Sequence, residues 1–296
     1  MVAPMQGLTE AEWRHVHFRM FGNEECVVEY FTPFIRVERG EVRARDLRDF
    51  TSVLNEGMRI TPQIIFRDVA EWRLLVDTLV GAGARTIDMN LGCPFVPQVR
   101  KGRGAGFLAY PDRLMQIAEA MGSYYDVVEF SVKMRLGVRQ ADEVKALTGI
   151  LNDMPLRHVT VHPRTADQQY KGELRMEEMD EFATCLNHDV IFNGLISTPE
   201  QLRDLSARFS GAMVGRGLLE RPSLFAEFIA GSELPVEVRG KLWLEMIGST
   251  SELFSGRLCG TSQIRDKMKP YWDYAPSTLD RKIVKAGRKT GLIIEK

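Results

Sequence analysis

Cysteines are few in this chain, and they show no pairing pattern. Cys26, Cys93, Cys185 and Cys259 are the only four in 296 residues. No two have CxxC spacing, and no Cys/His cluster has metal-ligand spacing, so no metal site is expected. With 44% hydrophobic residues to bury, the chain has no need of a disulfide framework, and the cysteines read as thiols of a reducing compartment. No apolar run approaches the ~20 residues of a membrane span, and the sequence does not open as a secretory signal does. The expectation is a cytoplasmic, soluble monomer with no membrane contact. A large excess of charge is missing too: the net charge is -1, which excludes a chain that is basic throughout. Internal repeats are absent. So is a Gly-x-Gly-x-x-Gly after the first strand, the mark of a doubly wound dinucleotide fold.

What is present is alternation. Strand-like segments fall at 2–5, 26–31, 63–66, 86–92, 129–136, 158–162, 190–193 and 211–215. Helix-like segments fall between them, at 9–21, 46–54, 68–81, 111–121, 142–154, 176–186 and 198 onward, and a last one at 222–230. Several starts carry their own signals. Thr9 with Glu12 fits a capping box, Asp68 with Glu71 fits a cap, Pro111 suits a first helical turn, and Thr198-Pro199-Glu200-Gln201 combines cap and Pro. Eight such units predict an α/β fold, a (β/α)8 TIM barrel. Residues 231–240 read as a linker, and helices at 242–254, 262–272 and 279–287 predict a small C-terminal all-helical domain. The expected division is 1–235 for the barrel and 236–296 for the helical domain. From Gly240 on there are 11 Lys+Arg against 6 Asp+Glu, a net +5, which leaves -6 on the rest. A basic tail on an acidic body suits a polyanionic partner.

Three strands break the apolar pattern of a buried parallel sheet. Strand four sets Asp88 and Asn90 on one parity; strand five sets Ser131, Lys133 and Arg135; strand six sets Thr160 and His162, with Arg164 beyond. In a barrel one parity meets the outer helices, so the polar parity must face the interior. Cations buried there imply a ligand with negative charge or hydrogen-bond acceptors. The competing reading is an internal salt-bridge network through Asp88 and Glu129. Asn193-Gly194 and Gly215-Arg216-Gly217 close strands seven and eight, where this fold often binds phosphate. Cys93 lies where strand four becomes a loop rich in glycine and basic residues. By itself it reads equally as a buried thiol at a turn.

Taken together, these stretches resemble the flavin-dependent tRNA-dihydrouridine synthases. The resemblance rests on Ala3-Pro4-Met5-Gln6-Gly7-Leu8-Thr9, Asp88-Met89-Asn90-Leu91-Gly92-Cys93-Pro94, Val132-Lys133-Met134-Arg135-Leu136-Gly137, His162-Pro163-Arg164-Thr165 with Gln169-Tyr170, Asn193-Gly194, and Val214-Gly215-Arg216-Gly217, in order over about residues 2–230. It implies FMN in the barrel mouth, reduced by NADPH, hydride transfer to C6 of a uracil in tRNA, and protonation of C5. It further implies that Pro4 and Met5 lie against the flavin, that Gln63 bonds its ring, that Lys133 sits at its N1/O2 edge, and that His162 contacts it. Asn193, Gly194, Gly215 and Arg216 would take the phosphate, and Cys93 would be the proton donor. Asn90 and Arg164 are expected substrate contacts. Arg100, Lys101 and Arg103 after the cysteine, and Arg265, Lys267 and Lys269 on the tail, are expected RNA contacts.

Three positions depart from the family pattern: Leu195 where an acid is usual, Pro163 where Gly is frequent, and Phe95 in place of a smaller residue. Two other functions compete. One is a small-molecule FMN-dependent barrel oxidoreductase of the dihydroorotate or enoate type, against which the basic loop and tail count. The other is a non-catalytic RNA-binding barrel, against which the intact Lys133, Cys93 and His162 count.

Overall fold

Strand three shows how local chemistry shapes this barrel. It runs as Arg59–Thr61 and resumes as Gln63–Ile65, because Pro62 has no N–H to give a ladder. The first half pairs in parallel with strand two, Glu29–Phe31, and the second half with strand four, Thr86–Leu91. Strands five to eight follow as Glu129–Arg135, Leu156–His162, Val190–Asn193 and Gly211–Met213, each parallel to its neighbour. Val2 is the closing stave, bridging Tyr30 on one side and Val214 on the other. These positions come from a computed structural model that describes residues 1–22 and 28–291. Cys26, where the second strand was expected to begin, lies outside the described residues.

The eight-stave (β/α)8 barrel is therefore as expected; strand three begins four residues earlier than expected, at Arg59, and strands four to eight shift at their ends by at most two. The outward parity of the central strands is fully sealed: Ile87, Met89, Val132, Met134, Val159 and Val161 are all 0% exposed. Each such side chain contributes roughly 1.5–3 kcal/mol by leaving water. Helix starts follow their signals at Asp68, whose carboxylate accepts from the Glu71 N–H at 2.9 Å. They do so again at Thr198 and Gln201, which form a reciprocal box.

Other local expectations are corrected. Thr9 caps no helix: Glu10 stands at the N-cap of Ala11–Phe21 without a side-chain bond. The Thr9 hydroxyl instead accepts from the Met5 N–H at 2.8 Å, which ties down the turn behind strand one. The irregular stretch before the second helix holds an antiparallel hairpin, Ile35–Glu38 with Glu41–Val42. The helix expected at 46–54 is Ala44–Phe50 followed by a 3-10 turn at Val53–Asn55. The one expected at 142–154 is a 3-10 segment, Ala141–Leu147, running into Thr148–Asp153.

The tail forms helices Val236–Arg257, Thr261–Met268 and Arg281–Thr290, with a 3-10 segment at Lys269–Tyr274. It is fastened to the barrel rather than strung from it. Trp243 donates its indole N–H to the Leu219 carbonyl at 2.8 Å, and the Tyr271 hydroxyl donates to the Leu8 carbonyl. Glu10, Glu12 and Asp49 bring carboxylate oxygens within 4.8 Å of one another. Cations answer them: Arg257 lies 2.8 Å from Glu10 and 2.6 Å from Glu12, Lys267 is 2.6 Å from Glu10, and Arg14 is 2.9 Å from Asp49.

Lys267, expected to face RNA, is thus a structural residue. Its ammonium also donates to the Gly7 carbonyl at 3.0 Å, and its side chain is only 12% exposed. Arg265 and Lys269 do reach solvent, each beside Asp266. Lys267→Met is expected to lower the unfolding free energy in urea by about 2 kcal/mol, the scale of a lost hydrogen bond to a charged group. Lys269→Met should change it by less than ~0.5 kcal/mol, as exposed substitutions do.

Candidate active site

Register places the polar parity in layers. Gln63 stands opposite Asp88, and Asp88 opposite Ser131; Asn90 stands opposite Lys133, and Lys133 opposite Thr160; Arg135 stands opposite His162. The lower layer is welded by short bonds. Ser131 donates to Asp88 Oδ1 at 2.7 Å, and Gln63 Nε2 donates to Asp88 Oδ2 at 2.7 Å. Asn90 Nδ2 donates to Gln63 Oε1 at 2.7 Å. Asn90 Oδ1 then accepts the Cys93 N–H at 2.8 Å and the Gly92 N–H at 3.1 Å. A continuous chain therefore runs from the barrel floor to the backbone that carries the thiol. Gln63 and Asn90 spend their acceptors inside the protein, and each amide nitrogen keeps one N–H for a ligand.

The upper layer is cationic. Lys133 Nζ donates to Asn193 Oδ1 at 2.7 Å, and Asn193 Nδ2 donates to the Met213 carbonyl at 2.7 Å. Arg135 donates to the Gly92 carbonyl at 2.9 Å, to Thr165 at 2.9 Å and to Gln169 at 2.6 Å, which stitches the loops after strands four and six together. Among the described residues neither cation forms an ion pair, and Glu129 pairs instead with Arg157 outside the lumen. The lumen is not the internal salt-bridge network that competed with a ligand site.

Enclosure sets the charges. Burial, then the nearby Arg135, pushes Lys133 down to about 8, against the pull of Asp88 and Cys93. Burial drives Asp88 up to about 6, against its bonds from Gln63 and Ser131. His162 is held well below its ordinary value, first by burial and then by Arg135, Lys133 and Arg164, so it is a neutral imidazole at pH 7. Burial also raises the Cys93 thiol, although the Phe95 backbone, Arg135 and Lys133 oppose this. The result is a protonated thiol at neutral pH beside a cation that is readily discharged.

Lys133, His162 and Cys93 open into a cavity of about 710 Å³ at the C-terminal mouth, with Asp88 sealed beneath it. That volume lies within the range of ligand pockets. Pro4, Met5, Gln63, Lys133, His162, Asn193, Gly194, Gly215 and Arg216, the expected cofactor residues, all line it, and so do Asn90 and Cys93. A cavity of this size with an unpaired buried cation fits an anionic planar cofactor such as a flavin nucleotide. Two glycines leave room around it, one on its wall and one behind the cysteine. A Cβ on Gly215 would sit 3.2 Å from Met5 Sδ. One on Gly104, at φ +56°, would meet the Cys93 Cβ at 2.8 Å.

Several expected contacts lie elsewhere. Arg164 is buried behind His162, its Nη2 donating to the Gly172 carbonyl at 2.6 Å, and it does not line the cavity. Arg103 is no surface cation: it is 7% exposed and pairs with Glu71 at 2.5 Å while donating to the Val37 carbonyl. Arg100 and Lys101 are exposed as expected. The expected cofactor and substrate contacts did not include Arg135, Tyr170, Leu195 or Tyr274, which also line the cavity. Arg135 was signalled by its parity, and Tyr170 by its motif, where its ring lies 5.3 Å from both the Arg135 and Arg216 guanidinium carbons. Leu195 holds a left-handed backbone at φ +46° on the rim. Tyr274 reaches the mouth from the tail, and no motif marks it.

The dihydrouridine synthase family model matches residues 1–275. The tRNA-dihydrouridine(16) synthase of Pseudomonas syringae pv. tomato is 30% identical over 258 residues, 83% of this chain and 78% of that protein. The tRNA-dihydrouridine synthase B of Salmonella typhimurium is 28% identical over 77% of this chain and 70% of that protein. Among solved structures, a morphinone reductase in complex with tetrahydroNAD superimposes with a TM-score of 0.54 at 11% identity, over 80% of this chain and 88% of that one, which shows the shared barrel fold. With a match across nearly the whole chain and the family's motif residues gathered around one cavity, the chain belongs to the dihydrouridine synthase family.

Proposed function

We propose that this chain reduces the C5=C6 bond of a uridine in tRNA to 5,6-dihydrouridine, with FMN bound in the barrel mouth and NADPH as reductant. The observation that carries this reading is the Cys93 thiol lining the same cavity as Lys133, in a site whose burial favours its protonated form. Bound flavin supplies the hydride, drawn from NADPH, that reaches C6 of the uracil. Cys93 gives its proton to C5, and the resulting thiolate regains one from solvent. A thiol suits this step because it is a neutral acid at pH 7 and keeps its proton until C5 becomes basic.

The chain's other residues bind and orient. Pro4 and Met5 would pack on the flavin face, the spare Gln63 N–H would reach its ring, and neutral His162 would contact it without adding charge. Lys133 would offset negative charge at the N1/O2 edge. Asn193, whose amide is engaged by Lys133 and Met213, would act by aiming Lys133; the phosphate would fall to Gly194, Gly215 and Arg216. Asn90 would offer its free N–H to the uracil, while Arg164 would act from behind His162. Reduction at the flavin requires the base to leave its stack, so the flanking RNA must be gripped. Arg100, Lys101, Arg265 and Lys269 remain candidates for that grip, joined by Lys282, Lys285 and Lys289 on one face of the last helix. No described helix is long and apolar enough to cross a membrane, and the reading is of a cytoplasmic monomer that uses no metal.

Cys93→Ala is expected to keep bound flavin and its reduction by NADPH but to lose tRNA turnover by ~10²-fold or more. Equal turnover in single-turnover assays would remove Cys93 from the acid role. The Lys133 pH dependence has a definite sign. Its folded value of about 8 lies below the ordinary value, so an anionic ligand that favours the charged form binds with proton uptake. FMN affinity should be full below pH 8 and fall above it, by up to ~10-fold per pH unit. Lys133→Met should flatten that profile in fluorescence titrations from pH 6.5 to 9.5. Replacing Lys282, Lys285 and Lys289 together by Gln should cut the slope of log K against log salt for tRNA by roughly 2–3. An unchanged slope would take the last helix out of the interface.

A further inference from the structure

Phe95 is an aromatic side chain that the folded protein leaves out of its core. Of the fifteen phenylalanines it alone is exposed, at 61%, while the others are buried or half-buried. A single exposed apolar residue needs no explanation. This one has company: Val96 is 41% exposed and Pro97 is exposed beside it. Arg100 and Lys101 border the patch with charge.

Its position is fixed from both sides. Cys93, two residues earlier, is held by Asn90 through its N–H and by Ala105 through its carbonyl at 3.0 Å. Pro94 follows and lines the cavity. The Phe95 carbonyl accepts the Gln98 N–H at 2.8 Å and the Val99 N–H at 3.1 Å, closing a short turn after it. Two residues of chain span at most ~7 Å, so the Phe95 backbone is tethered within that reach of the thiol-bearing residue yet lies outside the cavity. A rigid aromatic on the rim, bordered by cations, has the composition of a surface that stacks bases and tracks a phosphate backbone.

We propose that Phe95 is a stacking platform for the RNA base next to the uridine that enters the cavity; the inference rests on the function proposed above. When a base leaves its stack, its neighbour loses one stacked face. Phe95 covers that face, so the extruded state is held at the mouth instead of reclosing. It is a positioning residue: it touches the substrate strand but not the reacting ring, and it sets how readily tRNA is captured. Arg100 and Lys101 hold the adjoining phosphates.

The test uses the full-length, flavin-loaded chain with Phe95→Ala, Phe95→Leu and Phe95→Trp. Phe95→Ala should raise KM for tRNA about tenfold, equivalent to ~1.4 kcal/mol. The single-turnover rate at saturating tRNA and flavin reduction by NADPH should stay at the wild-type level. Phe95→Trp should restore KM and Phe95→Leu should not, because any aromatic face stacks and an aliphatic one does not. The proposal is overturned if Phe95→Ala leaves KM unchanged, if Leu restores it as well as Trp, or if flavin reduction falls in step with KM, which would mark a structural role for the loop. A wild-type chain that forms no dihydrouridine on any tRNA would overturn the proposed function, and the platform with it. An active wild type matched by Phe95→Ala overturns the platform alone.

Discussion

A cation enclosed without a carboxylate is the constraint around which this barrel is arranged. Lys133 projects from the fifth strand into a cavity walled by protein, and its direct partner there is a neutral amide, Asn193. Arg135 one layer above and the buried Asp88 below set the field it feels. Such an arrangement costs the empty protein stability, since burying an ion without a counter-charge is unfavourable. The protein tolerates it because the layer beneath is tied: Asp88 to Ser131 and Gln63, Gln63 to Asn90, Asn90 to the Cys93 backbone. Rigid neighbours keep the cation from relaxing toward solvent, and its unmet charge is then available to a ligand. Pre-set electrostatics of this kind need no rearrangement at the moment of reaction.

The barrel was legible because its signals are periodic and local. Alternating parity on strands four to six showed at once which side chains face inward, and that reading holds from Asp88 to His162. Most residues expected around the cavity line it for the same reason: they lie at or just beyond strand ends, and strand ends meet at the mouth of this fold. What escaped was set by partners distant in the chain. Thr9 has the spacing of a cap, yet its hydroxyl serves Met5, because the turn behind strand one offers a closer donor than the helix does. Arg103 and Lys267 look like surface cations in a basic stretch. Each is claimed by a buried acid, Glu71 or Glu10, brought near only by folding. Tyr274 enters the cavity across the junction between tail and barrel, which no spacing within the tail could announce.

The tail and the barrel share a boundary that composition drew near residue 235 but that side chains ignore. Trp243, Tyr271, Arg257 and Lys267 all end on barrel residues, and Tyr274 contributes to the mouth itself. The cavity is therefore walled by groups from both parts. Any tilt of the tail against the barrel would move Tyr274, and residues 7–12 together with Leu219 are where that tilt is resisted.

The closing stave has a consequence for how the protein is made. Val2 is held between Tyr30 and Val214, so its second neighbour is synthesised 212 residues after it. At ~5–20 residues per second this is a delay on the order of 10–40 s. Throughout that time the first stave has an edge with nothing to bond, and the turn at Pro4 and Met5 has no wall to lie against. The cavity cannot exist on the ribosome until nearly the whole barrel has emerged, and its rim is complete only after the tail has followed. The first stave is thus made long before the eighth and is among the last parts of the barrel to find its place.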